Sequence, residues 1–162
     1  MHIRPARPEE ANELAALAVR SKAHWPYPAA FIVRFARDGL TPDVVAANDV
    51  QVAERAGTVR GFYTLLHRGP TAVLYDLWLE PAEIGRGSGR LLFEHAAARA
   101  AAAGATSMEW EADPHAVGFY LRMGAATVGW ADSRLGRKLP VMRSPLAARA
   151  PVLTPAVLTR PS

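Results

Sequence analysis

Hydrophobic and polar residues follow two different periods along this chain, and these predict helices near its start and strands over much of the rest. Leu14, Leu17 and Ala18 recur at helical spacing and predict a first helix. A second helix is predicted around Phe31 and Phe35, after two prolines that break the first one. Apolar runs predict seven strands, over residues 2–6, 50–53, 58–66, 72–79, 106–112, 127–131 and 138–143.

The second half of the chain predicts two further helices. An alanine-rich segment that ends at Gly104 strongly favours a helix, and Pro114 begins a short helix that ends at Gly124. The residues from Thr41 onward are expected to form a connecting segment. Helices followed by strands around one strand-turn-helix unit predict a mixed α/β sheet. We expect a single domain over residues 1–145 and an Ala/Pro-rich extension over residues 146–162.

The composition is that of an ordinary globular protein, because 50% of the residues are hydrophobic and 21% are charged. No stretch approaches the roughly 18 consecutive apolar residues of a membrane span, and the first residues lack the apolar run of a secretory signal. We therefore expect a cytoplasmic protein without a membrane partner. The absence of cysteine excludes disulfides, thiolate metal sites and a cysteine nucleophile.

The formal net charge of +4 comes mainly from arginine, since Lys22 and Lys138 are the only lysines. Such an excess suits a polyanionic small ligand as well as nucleic acid. The arginines are scattered, without the dense runs and interleaved aromatic residues of a nucleic-acid interface, so no nucleic-acid partner is expected. The histidines lack the spacing of metal ligands, and no metal is expected.

Three glycines, at positions 85, 87 and 89, lie between a predicted strand and a predicted helix. A helix N-terminus attracts phosphates through unpaired backbone N–H groups, and missing side chains let them approach. A P-loop needs a lysine and then Ser or Thr where Arg90 and Leu91 stand, and a dinucleotide-binding turn needs its third glycine at position 90. The pattern Gly87-x-Gly89 fits a turn that binds the pyrophosphate of coenzyme A. A flexible glycine loop without a ligand is the alternative.

Two segments resemble the signature motifs of the GNAT superfamily of acetyl-CoA-dependent N-acetyltransferases. The first is LWLEPAEIGRGSGRLLF, from Leu77 to Phe93, and the second is EWEADPHAVGFYLRMGA, which is similar to an Asn-x-x-Ala-x-x-Phe-Tyr helix that ends in Gly. The segments SKAHWPY and GRKLPVM resemble a bacterial subgroup. The resemblance implies a mostly antiparallel, twisted sheet of six or seven strands, with helices on both faces and a splayed parallel pair of central strands.

The resemblance also implies acetyl-CoA as the co-substrate. The implied contacts are Leu77, Trp78 and Leu79 on the strand, Ile84, Gly85, Arg86, Gly87, Ser88, Gly89 and Arg90 in the turn, and Asp113 and His115 before the second motif's helix. Two positions depart from the family pattern. Ile84 stands where Gln or Arg is usual, and no Asn caps the second helix, where Asp113 and His115 are the nearest polar residues.

Acetylation of an amine needs a neutral amine, a polarised thioester carbonyl and a proton for the departing thiolate. Tyr120 matches the family's tyrosine near the sulfur of coenzyme A and is the predicted acid; its alternative role is packing. Glu109 matches the acid of a family strand motif and is the predicted base. Glu111 is the second candidate and a predicted acceptor contact, while Asp76 and Glu80 are weaker ones. A solvated row of carboxylates or a water chain would leave no side-chain base.

Trp25 and Tyr27 lie in the predicted loop between the first two helices, which covers the acceptor pocket in this family. An aromatic wall there suits a cationic amine or a ring, and core packing is the other interpretation. We expect acetyl transfer from acetyl-CoA to a primary amine of a small molecule or peptide, by direct attack in a ternary complex. A catalytically inactive CoA-binding regulatory module is the alternative, and a basic nucleic-acid-associated domain the third. Homodimers are common in the superfamily.

Overall fold

The elements of the computed structural model, which describes residues 1–147, begin and end close to the predicted positions. The helices are α1 (Ala11–Ala23), α2 (Ala29–Ala36), α3 (Pro42–Ala47), α4 (Ser88–Ala102) and α5 (Val117–Arg122). The strands are β1 (His2–Pro5), β2 (Asp49–Arg55), β3 (Thr58–Leu66), β4 (Thr71–Leu79), β5 (Ser107–Glu111), β6 (Ala126–Asp132) and β7 (Lys138–Pro145). Short 3-10 turns precede α1, α4 and α5, and each begins at a proline, which lacks the N–H that a first helical turn leaves unpaired.

Within residues 1–147, seven strands form one sheet in the order β1-β2-β3-β4-β5-β7-β6. Neighbouring strands are antiparallel except β4 and β5. These two are parallel over three residue pairs, from Thr71↔Ser107 to Val73↔Glu109. Farther along, β4 keeps its pairing with β3, and β5 keeps its pairing with β7. The two strands therefore separate toward their C-terminal ends, which confirms the mixed sheet with a splayed parallel pair.

Helices cover both faces of this sheet. On one face, α1 and α3 bury Leu14, Leu17 and Val45 against apolar side chains of β2 and β3. On the other face, α4 buries Leu92 and Phe93 in a second apolar cluster, to which α5 also contributes. The helices α1 and α4 each bury several side chains against a sheet face, and this burial stabilises them. The predicted inward residues of the first helix are confirmed.

The sequence interpretation misses one helix, because α3 replaces the connecting segment expected after Thr41. The Thr41 hydroxyl accepts a hydrogen bond from the Val44 N–H at 3.3 Å, and Pro42 occupies the first helical position. Thr-Pro is thus a helix start, since the threonine caps a free N–H and the proline has none to cap. The first helix also continues to Ala23, because its first helix-breaking proline comes only at position 26.

The predicted extension over residues 146–162 lies, from residue 148 onward, outside the described residues. The single domain over residues 1–145 likewise stays a prediction. Over residues 1–147, every helix is too short or too polar to cross a lipid bilayer.

Candidate active site

The gap between β4 and β5 opens into a cavity of about 580 Å³, which we call the main cavity. Its walls come from the end of α1, the second half of β4, the glycine turn, the end of β5 and the helix α5. The predicted site residues that line it are Trp25, Leu77, Trp78, Leu79, Ile84, Gly85, Gly87, Gly89, Arg90, Glu111, Asp113, His115 and Tyr120. Those that lie outside its lining are Tyr27, Arg86, Ser88 and Glu109. Residues far apart in sequence thus meet at one site.

The glycine turn directs the start of α4 at the main cavity. Gly85 and Gly87 have φ angles of +78° and +86°, in the left-handed region that favours glycine, and the space beside each Cα is open. Within residues 1–147, the N–H groups of Ser88, Gly89 and Arg90 have no hydrogen-bond acceptor, as expected in the first turn of a helix. Unpaired donors beside open space at a helix N-terminus fit a phosphate group.

A buried hydrogen bond stabilises this turn. The Ser88 hydroxyl donates to the Glu83 carboxylate at 2.6 Å, and both residues are buried. The bond lowers the pKa of Glu83, so the carboxylate stays ionised at neutral pH and accepts strongly. Position 84, where the family has a polar side chain, is free to carry the apolar Ile84, which lines the main cavity.

Tyr120 combines a packed ring with an accessible hydroxyl. Its ring centroid lies 4.8 Å from that of Trp110, 5.0 Å from Phe119 and 5.9 Å from Phe93. The residue is 7% exposed and lines the main cavity, and among the described residues its hydroxyl has no hydrogen-bond partner. Burial raises the pKa of Tyr120 above its ordinary value. The hydroxyl therefore stays protonated at neutral pH and can donate to a ligand.

The acidic residues at the end of β5 lie in three different environments. Glu109 is paired with Arg143 on β7 at 2.8 Å and does not line the main cavity. Asp113 lines the cavity, but its carboxylate is bound by Lys22 and Tyr27. Glu111 lines the cavity and has no ion pair within residues 1–147. Of these three, Glu111 is the carboxylate that is free to meet a ligand.

A second cavity, of about 140 Å³, lies between β4 and the helices α1 and α2; we call it the inner cavity. Tyr75, Asp76 and Trp78 line both cavities. The Trp78 indole N–H donates to Asp76 at 3.0 Å. Burial raises the pKa of Asp76 in spite of this hydrogen bond. A carboxylate with a raised pKa between two cavities is suited to accept a proton.

Asp76 is a weaker candidate base than Glu109 by motif position, although the pattern of β4 favours it. Side chains alternate along the strand, and Leu77 and Leu79 pack in the cluster beneath α4. Asp76 and Trp78 therefore face the helices α1 and α2, where an apolar partner would be expected. A lone acid at such a position indicates function rather than packing.

Aromatic rings form the wall of the main cavity near α1. Trp25 lines the cavity and stacks on His115, with ring centroids 5.0 Å apart and planes 3° from parallel. Tyr27 instead donates to Asp113 at 2.7 Å and accepts a hydrogen bond from Arg137 at 2.9 Å. The planar wall is thus made by Trp25 and His115, while Tyr27 holds the Asp113 carboxylate.

Comparison with models of protein families identifies the chain. Residues 11–125 match the model of the acetyltransferase (GNAT) family, which covers the glycine turn, β5 and α5. This chain belongs to the GNAT family. The resemblance of the two motifs is confirmed, and the protein is an acyltransferase.

Relatives of this GNAT protein agree with that assignment. The 5-NmdU N-acetyltransferase of Pseudomonas phage PaMx11 is 30% identical over 131 residues, which are 78% of this chain and 88% of the relative. A GCN5-related N-acetyltransferase from Rhodopseudomonas palustris has a TM-score of 0.76 at 23% identity, covering 90% of this chain and 95% of its own. The PaiA N-acetyltransferase of Thermoplasma acidophilum, solved with coenzyme A, has a TM-score of 0.75 at 18% identity over 89% and 98%. The two structures share the fold.

The main cavity of this GNAT protein fits a CoA thioester. The first turn of α4 has unpaired donors that suit a pyrophosphate, and the residues of the gap between β4 and β5 line the same cavity. The Glu80 N–H donates to Arg60 on β3 at 2.8 Å, so the neighbouring Leu79 N–H points the other way, into the gap. Among residues 1–147, no three His, Asp or Glu side chains are grouped to hold a metal.

Proposed function

We propose that this GNAT enzyme transfers the acetyl group of acetyl-CoA to a primary amine of a small molecule or a peptide, by direct attack in a ternary complex. The observation that carries this proposal is the main cavity itself. The α4 N-terminus, the strand gap, the Tyr120 hydroxyl and the carboxylates of Asp76 and Glu111 all border one space. Direct attack is supported because the chain has no cysteine to carry the acetyl group.

Each step of transfer has a candidate group in the protein. The N–H groups of Ser88, Gly89 and Arg90 would hold the pyrophosphate of acetyl-CoA, which supplies the activated acetyl group. The Leu79 N–H, which points into the gap, would donate to the thioester oxygen as it gains negative charge. The Tyr120 hydroxyl would donate a proton to the departing sulfur.

The attacking amine must lose a proton, and we assign this role to Asp76, with Glu111 as the second candidate. Both carboxylates line the main cavity, and neither has an ion pair within residues 1–147. The raised pKa of Asp76 brings it closer to that of an amine, which favours proton transfer. Glu109, the base expected from its motif position, is paired with Arg143, and its role stays a prediction.

The phage relative suggests the first acceptor to test. Its name states that it acetylates 5-NmdU. The stacked rings of Trp25 and His115 would offer a flat surface to a ring-bearing acceptor. We therefore place 5-NmdU beside simple alkyl and aryl amines and peptide N-termini in the acceptor panel.

Calorimetric titration with acetyl-CoA, followed by a thiol-release assay over this panel, tests the proposal. We expect binding, turnover of at least one amine, and initial-velocity lines that intersect when both substrates are varied. Parallel lines would contradict direct attack. Binding without turnover of any amine would support the inactive CoA-binding module, and no binding would remove acetyl-CoA altogether.

A further inference from the structure

Lys22 is a buried cation held as proteins hold a bound ammonium ligand. The residue is 5% exposed, and its ammonium group is bonded to Asp113. The nitrogen lies 4.7 Å from the ring centroid of Tyr27, and at 5.5–5.7 Å from those of three further rings. These further rings belong to Phe31, Phe35 and Trp78. Four ring faces and a carboxylate form a cation site, and the protein's own lysine fills it.

The four rings and the Asp113 carboxylate around Lys22, which we call the cage, border the space in which we place the acceptor. Phe35 and Trp78 line the inner cavity, while Trp78 and Asp113 line the main cavity. Lys22 therefore lies between the two cavities. Trp78, whose ring lies over Lys22, donates to Asp76, so the cage is one residue away from the proposed base, and little solvent screens its charges there.

Arg137, which is half-buried, adds a second cation beside the same rings. Its guanidinium carbon lies 4.9 Å from the ring centroids of both Tyr27 and Phe31. One of its nitrogens donates to the Tyr27 hydroxyl at 2.9 Å, and another lies 3.6 Å from Asp113. Two cations thus share the Asp113 carboxylate, so these three groups together carry one positive charge. Burial lowers the pKa of Lys22, while the bond to Asp113 favours its charged form.

We propose that this enzyme selects acceptors with a single positive charge, at the reactive amine, and an uncharged remainder. The inference rests on the proposed function. The reactive amine is attracted to Asp76 and Glu111, while a second ammonium would meet the excess charge of Lys22 and Arg137 at a cage that is already filled. The uncharged remainder meets the Trp25–His115 stack or the apolar walls of the inner cavity, such as those formed by α1.

Matched pairs of amines test this selectivity directly. 4-Ethylbenzylamine and 4-(aminomethyl)benzylamine have nearly the same shape but differ by one ammonium, as do hexylamine and 1,5-diaminopentane. We expect kcat/KM for each monoamine to exceed that for its diamine by roughly tenfold or more, after correction for the two equivalent amines. The assay is thiol release from acetyl-CoA with the full chain.

In the Lys22→Met variant, the ratio of kcat/KM for a monoamine to kcat/KM for its diamine should fall by roughly tenfold. The reason is that Asp113 and the rings become available to the second ammonium. Lys138→Met is the matched control, since Lys138 is exposed and paired with Asp132, and it should leave the ratio unchanged. If Lys22→Met does not fold, Arg137→Met, which removes the other cation, should change the ratio in the same direction.

Two results would overturn the inference while amine acetylation stands. One is a wild-type preference for the diamines, and the other is an unchanged ratio in a folded Lys22→Met or Arg137→Met variant. A wild-type enzyme that binds acetyl-CoA but acetylates no amine would contradict the proposed function itself, and the inference would fail with it.

Discussion

At the scale of single residues, the Tyr120 side chain makes the sharpest test of the chemistry, because its ring and its hydroxyl do different things. The ring packs against Trp110 and Phe119, and phenylalanine would preserve those contacts. We expect Tyr120→Phe to lower kcat roughly 10²-fold or more, with unchanged acetyl-CoA affinity. Thiol release and calorimetry measure the two quantities. Full activity on every acceptor would show that Tyr120 only packs.

The carboxylates are separated by the pH dependence of kcat/KM. Asp76→Asn should lower kcat/KM at neutral pH and move its acid limb to higher pH, because the free amine must then form without help. Glu109→Gln, which removes a carboxylate paired with Arg143, should leave the limb where it is. The Glu111→Gln variant tests the second candidate base by the same pH dependence. A shift in Glu109→Gln alone would show that the motif-based assignment of the base is right.

Asp76 should also destabilise the folded protein at neutral pH. Its pKa is higher in the folded than in the unfolded chain, so stability falls as the pH rises through the folded value. Asn cannot ionise, so we expect Asp76→Asn to raise the Tm measured by thermal unfolding at pH 7.5. The difference in Tm between the variant and the wild type should decrease at acidic pH, as wild-type Asp76 becomes protonated. A Tm below wild type at pH 7.5 would contradict the raised pKa.

Motif position alone predicts most of the residues that reach the main cavity, but it fails for Glu109 and does not predict what each side chain pairs with. Tyr120 and the glycine turn follow from local sequence, since a turn and the helix after it depend on neighbouring residues. The pairing of Glu109 with Arg143 depends on the register between β5 and β7, across 34 positions of sequence. The role of Lys22 could not be predicted from the sequence, because the rings that surround it come from α2, from β4 and from the loop that follows α1.

At the scale of elements, the N-terminus of α4 is the proposed anion site, and a substitution at Gly87 tests it without loss of packing. The space beside Gly87 is open, and both Asp and Asn tolerate its positive φ better than most residues do. Gly87→Asp should lower acetyl-CoA affinity roughly 100-fold, whereas the isosteric Gly87→Asn should lose only a few-fold, because charge is the difference between them. Calorimetry measures both. Equal affinities in the two variants would mean that the pyrophosphate binds elsewhere.

Element boundaries were predictable where residues with strong local preferences stand, as at the glycine turn before α4. The miss at α3 has a different cause. Its six residues are too few to show a helical period, so only the Thr41 cap and Pro42 indicate a helix in the sequence. A helix of this length depends on burial, here of Val45 between α1 and the sheet, which sequence periodicity does not report.

At the scale of the whole molecule, the Asp113 carboxylate connects α1, the end of β5 and the loop between β6 and β7. Asp113→Asn should lower the free energy of unfolding by about 3 kcal/mol, because it leaves the buried ammonium of Lys22 without a countercharge. The double variant Lys22→Met/Asp113→Asn should recover most of that loss. Urea unfolding of the two single variants and the double variant completes the cycle. Strictly additive losses would show that the pair is not coupled.

The parallel contact between β4 and β5 is short and lies at the closed end of the gap between them. Three residue pairs and a 3.2 Å hydrogen bond between the Thr71 and Ser107 hydroxyls hold the two strands together there. From Val73 to Leu79, β4 runs for about 20 Å, at roughly 3.3 Å per residue, apart from β5 but still paired with β3. A rotation of β4 relative to β5 by about 5° at this contact would move Leu79 by about 1.7 Å. Displacements of about 1 Å in an active site can change rates by roughly 10²-fold. The side chains at the closed end of the gap would therefore set the spacing between the proposed positions of the acetyl group and the amine.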